Sequence, residues 1–310
     1  MNEIKVYKKA MKLMGNHFEI SAVANNELFA YETIDKGVAE IKRIEQLLTT
    51  YNNESETYLI NANAGIAPVK VSIETFNLIE RSLKISTVTQ GAFDITYGSV
   101  DKKLWNFDTT LKTLPSKEKA KESVRLINYK NVILNKENTT VYLREKGMRI
   151  GFGGIGKGYA AEMAKQVMQQ YGIKSGIVNA SGDLTTWGKQ PDGSNWTIGI
   201  AHPESSDKIF SYMNISNMAI ATSGNYEKFI LINGKKYSHT INPRTGLPVT
   251  GIKSVTIIST NAEIADAMAT PVMIMGIEAG LHMINQIKNI EAIVVDDNNK
   301  LYVTNNIKIK

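Results

Sequence analysis

The apolar pattern of this chain changes period many times, and it never settles into the strand-helix-strand regularity that a parallel sheet requires. Residues 18–23 ("FEISAV") alternate apolar and polar, the period of a half-buried strand. Shortly afterwards Ile34, Val38, Ile41, Ile44 and Leu48 recur at steps of three and four, which predicts a helix over 28–48 with one apolar face. A second helix is expected over 73–88, and the segment between them, "TYNNESETYLINANAGIAP", reads as a long polar loop. A short helix near 116–126 and strand-like "VIL" and "TVYL" lead to a glycine-rich stretch, followed by a helix over 157–171. Short strands follow in "GIVNASGDLTTWG", "WTIGIAHP", "MAIATSGNY" and "FILINGKKYSHTINPRTGLP", each broken by Gly, Asn or Pro. A helix from about Asn261, another near 279–287, and the strands "EAIVV" and "LYVT" close the chain. Helices and short strands mixed in this way predict an α+β fold, and the lack of a repeat or linker predicts one domain over residues 1–310.

Composition narrows the function. With 310 residues, 43% of them hydrophobic, the chain can bury a substantial core. It has no cysteine, which excludes disulfides, thiolate metal sites and cysteine nucleophiles. The net charge is +6, but Lys and Arg are scattered among Asp and Glu without an aromatic-interleaved basic stripe. No nucleic-acid partner is expected, and mild basicity suits an anionic small-molecule ligand. The longest apolar stretch, around "ATPVMIMGI", is far shorter than the roughly 18 residues of a membrane span. The start, "MNEIKVYKKAMKLMGNHF", carries lysines without the apolar run of about 7–15 residues that a secretory signal needs. The chain as given therefore reads as cytoplasmic, or as periplasmic or membrane-anchored if a leader has been removed.

The glycine-rich stretch, "GFGGIGKGYAAEMA" over 151–164, fits two phosphate-binding spacings at once. Gly151, Gly156 and Lys157 match a P-loop, but position 158 is Gly where that motif needs Ser or Thr for magnesium. Gly151, Gly153 and Gly156 match the dinucleotide fingerprint, but no acidic residue stands about 20 positions on, the nearest being Asp183. What the two motifs share survives: glycines allow a close backbone approach, and a helix beginning near Lys157 directs amides and a partial positive charge at its ligand. A tight strand-to-helix turn accounts for the same glycines.

Three other groups of residues carry chemistry. Asp266 and Thr270 in "NAEIADAMATPVMIMG" lie one helical turn apart on one face, a hard oxygen pair suited to magnesium rather than zinc. Taken alone, the pair equally suits a salt-bridged carboxylate and a helix-end hydroxyl. Thr260 with Glu263 reads as a capping box for this helix, and Pro271 is expected to kink it and release the Ala267 carbonyl. "YSHTINPRTGLP" offers His239, a residue type that accepts protons near neutral pH, and Arg244, a natural anion partner. His17, His202 and His282 stand in unrelated contexts, which argues against a histidine metal site. "GAFDITYG" and "NASGDL" place Asp94, Asn179 and Asp183 beside glycines, where such residues ordinarily stabilise turns.

In order, "LMGNHFEI", "LTTYNNESETYLIN", "GAFDITYG", "GGIGKGYAAEMA", "VNASGDL", "IATSGNYEKF", "SHTINPRTGLPV" and "ADAMAT" resemble the ApbE-type FAD:protein FMN transferases over nearly the whole chain, from about Met14 to Thr270. The resemblance implies a single-domain α+β fold that binds FAD and magnesium and moves FMN onto a Ser or Thr of a target flavoprotein with release of AMP. It places Met14, Tyr51, Ala92, Phe93, Asp94, Lys157 and Ile241 at FAD, and Asp266, Thr270 and the backbone oxygen of Gly154 at magnesium. His239 becomes the expected proton acceptor, with Lys157 and Asp266 stabilising charge. The same site with water as acceptor implies an FAD pyrophosphatase, and without turnover an FAD-binding or storage protein. Gly151 stands where many members have Asp, Asn16 where Thr is frequent, and Pro271 follows the expected metal-site threonine.

Overall fold

The computed structural model describes residues 3–101, 104, 113–202, 205–225, 229–232 and 235–307. Its first half runs β1 (Lys5–Leu13), β2 (Asn16–Ala24), α1 (Glu27–Leu48), α2 (Glu56–Ala62), β3 (Val69–Lys70), α3 (Ile73–Val88), α4 (Lys117–Ser123), β4 (Val132–Asn135) and β5 (Thr140–Leu143). Then come α5 (Gly156–Gln170), β6 (Gly176–Ala180), β7 (Asp183–Trp187), β8 (Trp196–His202), β9 (Ser205–Ile215), β10 (Ala219–Gly224), β11 (Phe229–Ile232) and β12 (Lys235–Ser238). β13 (Ile252–Ser259), α6 (Ala262–Met275), α7 (Ile277–Ile284), β14 (Ile290–Asp296) and β15 (Leu301–Val303) complete it. Tyr226 in the expected strand "MAIATSGNY", Tyr226 to Lys228 in "IATSGNYEKF", and Asn233 and Gly234 in "FILINGKKYS" lie outside the described residues.

The centre is an eight-stranded sheet in the order β1-β2-β6-β7-β10-β13-β14-β15, and every neighbouring pair is antiparallel. The α+β expectation holds, and the period-2 patterning explains the layers. Phe18, Ile20, Val178, Ala221, Val255 and Ile257 project from one face into the main core, against α1, α5 and α6. Ile177, Leu184, Ile220, Ile258 and Ile293 project from the other face, where they meet Trp196, Ile198 and Ile215 of the β8–β9 ribbon.

Each helix follows from its spacing and its cap. In α1, Ile34, Val38, Ile41, Ile44 and Leu48 are buried, and the Asn26 side chain accepts the Phe29 N–H to cap the start. α3 begins on Ser72, whose hydroxyl accepts from the Thr75 amide. Two expectations need correction. The polar segment after α1 contains α2, capped by Ser55, which buries only Thr57 and Ile60 of its own residues. Its support comes from elsewhere: the Asn61 side chain both accepts the Ile150 N–H (2.7 Å) and donates to the Ile150 carbonyl (3.0 Å). α6 is capped by Asn261, whose side chain accepts the Ile264 N–H at 3.1 Å, not by Thr260. Glu263 turns away from the cap because Arg81 offers a stronger, charge-assisted partner at 2.6 Å. Pro271 lies inside α6, which continues to Met275.

Candidate active site

Two hairpin tips form one side of a cavity. β1 and β2 turn through Met14 and Gly15 (φ 50° and 73°), and β6 and β7 through Ser181 and Gly182 (φ 56° and 98°). Positive φ at both central residues is the two-residue turn that follows the twist of a sheet. β2 pairs with β6, with Phe18 opposite Ala180, so the tips are neighbours. Met14 is a bulky residue in the left-handed region, a backbone choice concentrated at ligand sites; the Asn16 side chain secures it by donating to the Met14 carbonyl at 2.7 Å.

The cavity behind these tips has a volume of about 770 Å³. Of the residues singled out from sequence, Met14, Tyr51, Gly154, Lys157, His239, Asp266 and Thr270 line it. Ala92, Phe93, Asp94 and Ile241 are buried outside that lining. Phe93 stands behind Gly154, its ring 3.6 Å from where a Cβ would project. Asp94 accepts from the Thr96 amide (2.8 Å), the Thr96 hydroxyl (2.6 Å) and the Tyr129 amide (2.9 Å). It thereby caps the 3₁₀ turn Ile95–Ser99, and burial pushes its carboxyl up against the downward pull of those bonds. That turn carries Tyr97, whose hydroxyl oxygen accepts the Ile241 N–H at 2.9 Å. Gly246 closes the same segment at φ 70°, where a Cβ would overlap the Ala120 carbonyl. Asp94, Tyr97 and Ile241 thus anchor the strand end that presents His239.

The floor is charged and tightly made. α5 starts on Ile155, which has no side chain able to cap it. Asp266 of α6 does that work: its Oδ2 accepts the Gly158 N–H at 2.9 Å, and the Lys157 N–H adds a second backbone bond. This corrects the expectation that these amides await a ligand anion, because the protein's own carboxylate takes them. The Lys157 ammonium is likewise engaged, 2.5 Å from Asp183 Oδ2 and 3.8 Å from Asp266 Oδ1. Asp183 also accepts the Thr222 N–H at 3.2 Å. Burial raises the Asp266 carboxyl and neighbouring Asp183 adds to the rise, while Lys157 and the two amides oppose it; the balance leaves it pushed up to about 7. One turn on, the Thr270 hydroxyl lies 3.2 Å from the Ser223 hydroxyl.

These residues fit a hard cation. Among the described residues no three His, Cys, Asp or Glu side chains group as a metal cluster. The oxygens able to hold one are instead mixed, the Asp266 carboxylate, the Thr270 hydroxyl and the Gly154 carbonyl, on residues that line the cavity. Asp183 and Asp266 are both buried and share the Lys157 ammonium, so the ionised trio carries one net negative charge that a divalent cation offsets.

Asp183, read from sequence as a turn residue, also lines the cavity, as do Thr222, Ser223 and Arg149, which the sequence did not single out. The signal for Asp183 was present: "NASGDL" is a Ser-Gly hairpin turn between alternating strands, which puts the residue after the turn at the same end as the first tip. A family model described as "ApbE family" matches residues 14–294. The chain belongs to the ApbE family. Within it, the FAD:protein FMN transferase of Klebsiella pneumoniae (strain 342) is 30% identical over 306 residues, 98% of this chain and 93% of that one. The crystal structure of the ApbE protein of Thermotoga maritima superimposes with a TM-score of 0.86 at 28% identity, covering 97% of each chain. The apo form of the Pseudomonas stutzeri flavinyl transferase ApbE gives 0.85 at 25% identity, covering 98% of this chain and 96% of that one.

Proposed function

We propose that this chain is an FAD:protein FMN transferase, which attaches FMN to a Ser or Thr hydroxyl of an acceptor flavoprotein and releases AMP. The observation that carries the reading is one cavity holding the Asp183–Lys157–Asp266 trio on its floor and His239 on its wall, in an ApbE-family chain. Met14 and the exposed ring of Tyr51 offer apolar and aromatic surface at its rim for the flavin. In the transfer, the acceptor oxygen attacks the FMN-side phosphorus, the pyrophosphate P–O bond breaks, and AMP leaves with the bond's electron pair. The hydroxyl proton passes to an imidazole nitrogen of His239. Lys157 holds positive charge beside the pyrophosphate as charge shifts to the leaving group. Magnesium, held by Asp266, Thr270 and the Gly154 carbonyl, supplies further neutralisation of that charge when bound.

The test is to incubate the purified protein with FAD and Mg²⁺, with and without an acceptor domain, and to quantify AMP and free FMN. AMP that forms only when acceptor is present supports transfer. Equal AMP and free FMN without acceptor identifies a pyrophosphatase, and intact FAD throughout identifies a binding protein.

A further inference from the structure

We propose that Gly158, assisted by Glu162 one turn further along α5, is the positioning residue that fixes the Asp266 carboxylate in the cavity floor. The proposal rests on the magnesium reading of that site. α5 and α6 pack directly on each other. A Cβ on Gly158 would overlap the Ala262 carbonyl oxygen and come within 2.7 Å of the Asp266 Cβ. Neither obstacle is a flexible side-chain end, so only glycine lets α6 approach this closely.

The same residue supplies the directing bond. The Gly158 N–H donates to Asp266 Oδ2 at 2.9 Å, while Oδ1 is the oxygen near Lys157 at 3.8 Å. One carboxylate oxygen is thus tied to α5 and the other is turned toward the ammonium. Glu162 sets the helix start behind it: its Oε2 accepts the Ala262 N–H at 3.1 Å, and Lys165 holds its other oxygen at 2.8 Å. Glu162 is buried, 6% exposed, and lies four residues from Gly158, hence on the same face of α5. Ala262 lies four residues before Asp266 on α6, so both contacts act on the turn that ends at the carboxylate. Lengthening the α5–α6 contact by the width of a methyl group would move Asp266 away from Lys157, so the metal-binding readout is taken apart from FAD.

Gly158→Ala tests this, with Mg²⁺ alone as the probe, its Kd read by titration calorimetry and by the Mg²⁺-dependent rise in Tm, and folding followed by circular dichroism. The expected result is a folded protein whose Mg²⁺ Kd is weakened at least tenfold. In an Asp266→Ala background the same change should move Kd less than twofold, because Gly158 acts through Asp266. A parent-like Kd, or an equal loss in both backgrounds, overturns the proposal. If Gly158→Ala does not fold, Glu162→Ala replaces it, with a threefold or larger loss expected only when Asp266 is present, and a parent-like Kd overturning the proposal. The metal is titrated without FAD or acceptor, so a parent that binds Mg²⁺ but transfers no FMN refutes the transferase reading separately. A parent that binds no Mg²⁺ overturns the metal assignment and this proposal together.

Discussion

Replacing Lys157 with Met removes the positive charge that, among the described residues, both buried carboxylates of the floor share, and its effect should depend on pH in a defined sense. Lys157 is one quarter exposed, whereas Asp183 and Asp266 are 6% and 8% exposed. Removing one partner of such a buried pair leaves charge uncompensated, a change that costs about 3–5 kcal/mol; the partial exposure of Lys157 points to about 3 kcal/mol. With an unfolding entropy of roughly 2.1 cal/mol/K per residue, that loss lowers Tm by about 5 °C. The sign with pH follows from Asp266. Folding raises its carboxyl above the unfolded value of about 4, so the folded state binds the extra proton between the two values. Its contribution to stability is fully present below pH ~4 and is lost as pH rises through about 7. Near pH 5 the carboxyl is largely protonated and does not need the ammonium; near pH 8 it is ionised and does. Thermal melts of both proteins in EDTA should therefore show a larger Tm deficit for Lys157→Met at pH 8 than at pH 5. An equal deficit at both, or none at either, would refute the assignment of Lys157 as the shared counter-charge.

Three further outcomes follow from the same geometry. Asp266→Ala is expected to abolish Mg²⁺-dependent FMN transfer, read as covalent flavin on the acceptor; unchanged turnover counts against the metal assignment. His239→Asn should lower kcat by about 10²–10⁴ while the KM for FAD stays within about threefold, because it removes a proton acceptor rather than a binding contact. Tyr97→Phe leaves the Ile241 N–H without its partner, at a cost of about 1–2 kcal/mol, and should lower Tm and kcat together, as expected of an anchor for the His239 segment.

Much of the fold was legible because its signals are local. The three- and four-residue apolar steps in 28–48 gave α1 to within a residue, the helix expected over 73–88 is α3, and the i, i+4 spacing of Asp266 and Thr270 put both at one cavity. The failures are nonlocal. α2 has little apolar surface of its own and stands because Asn61 brackets Ile150, 89 residues away. The cap of α5 comes from Asp266, 108 residues from the Gly158 amide it accepts, so an isolated reading of the glycine loop assigned those amides to a ligand. Asp183 looked like a turn residue but opens β7 just after the Ser181–Gly182 turn, and the β2–β6 pairing brings that turn beside the Met14 tip. Ala92, Phe93, Asp94 and Ile241 came from family resemblance; all four are buried outside the cavity lining, where the Phe93 ring backs Gly154 and Ile241 is held by Tyr97.

The measurement that tests the central claim most directly is the intact mass of an acceptor flavoprotein domain after incubation with this protein, FAD and Mg²⁺. The account predicts a gain of one FMN per acceptor, matched by one AMP released, and no gain when the acceptor's Ser or Thr is replaced by Ala or when Mg²⁺ is removed with EDTA. An acceptor of unchanged mass alongside free FMN and AMP would contradict it.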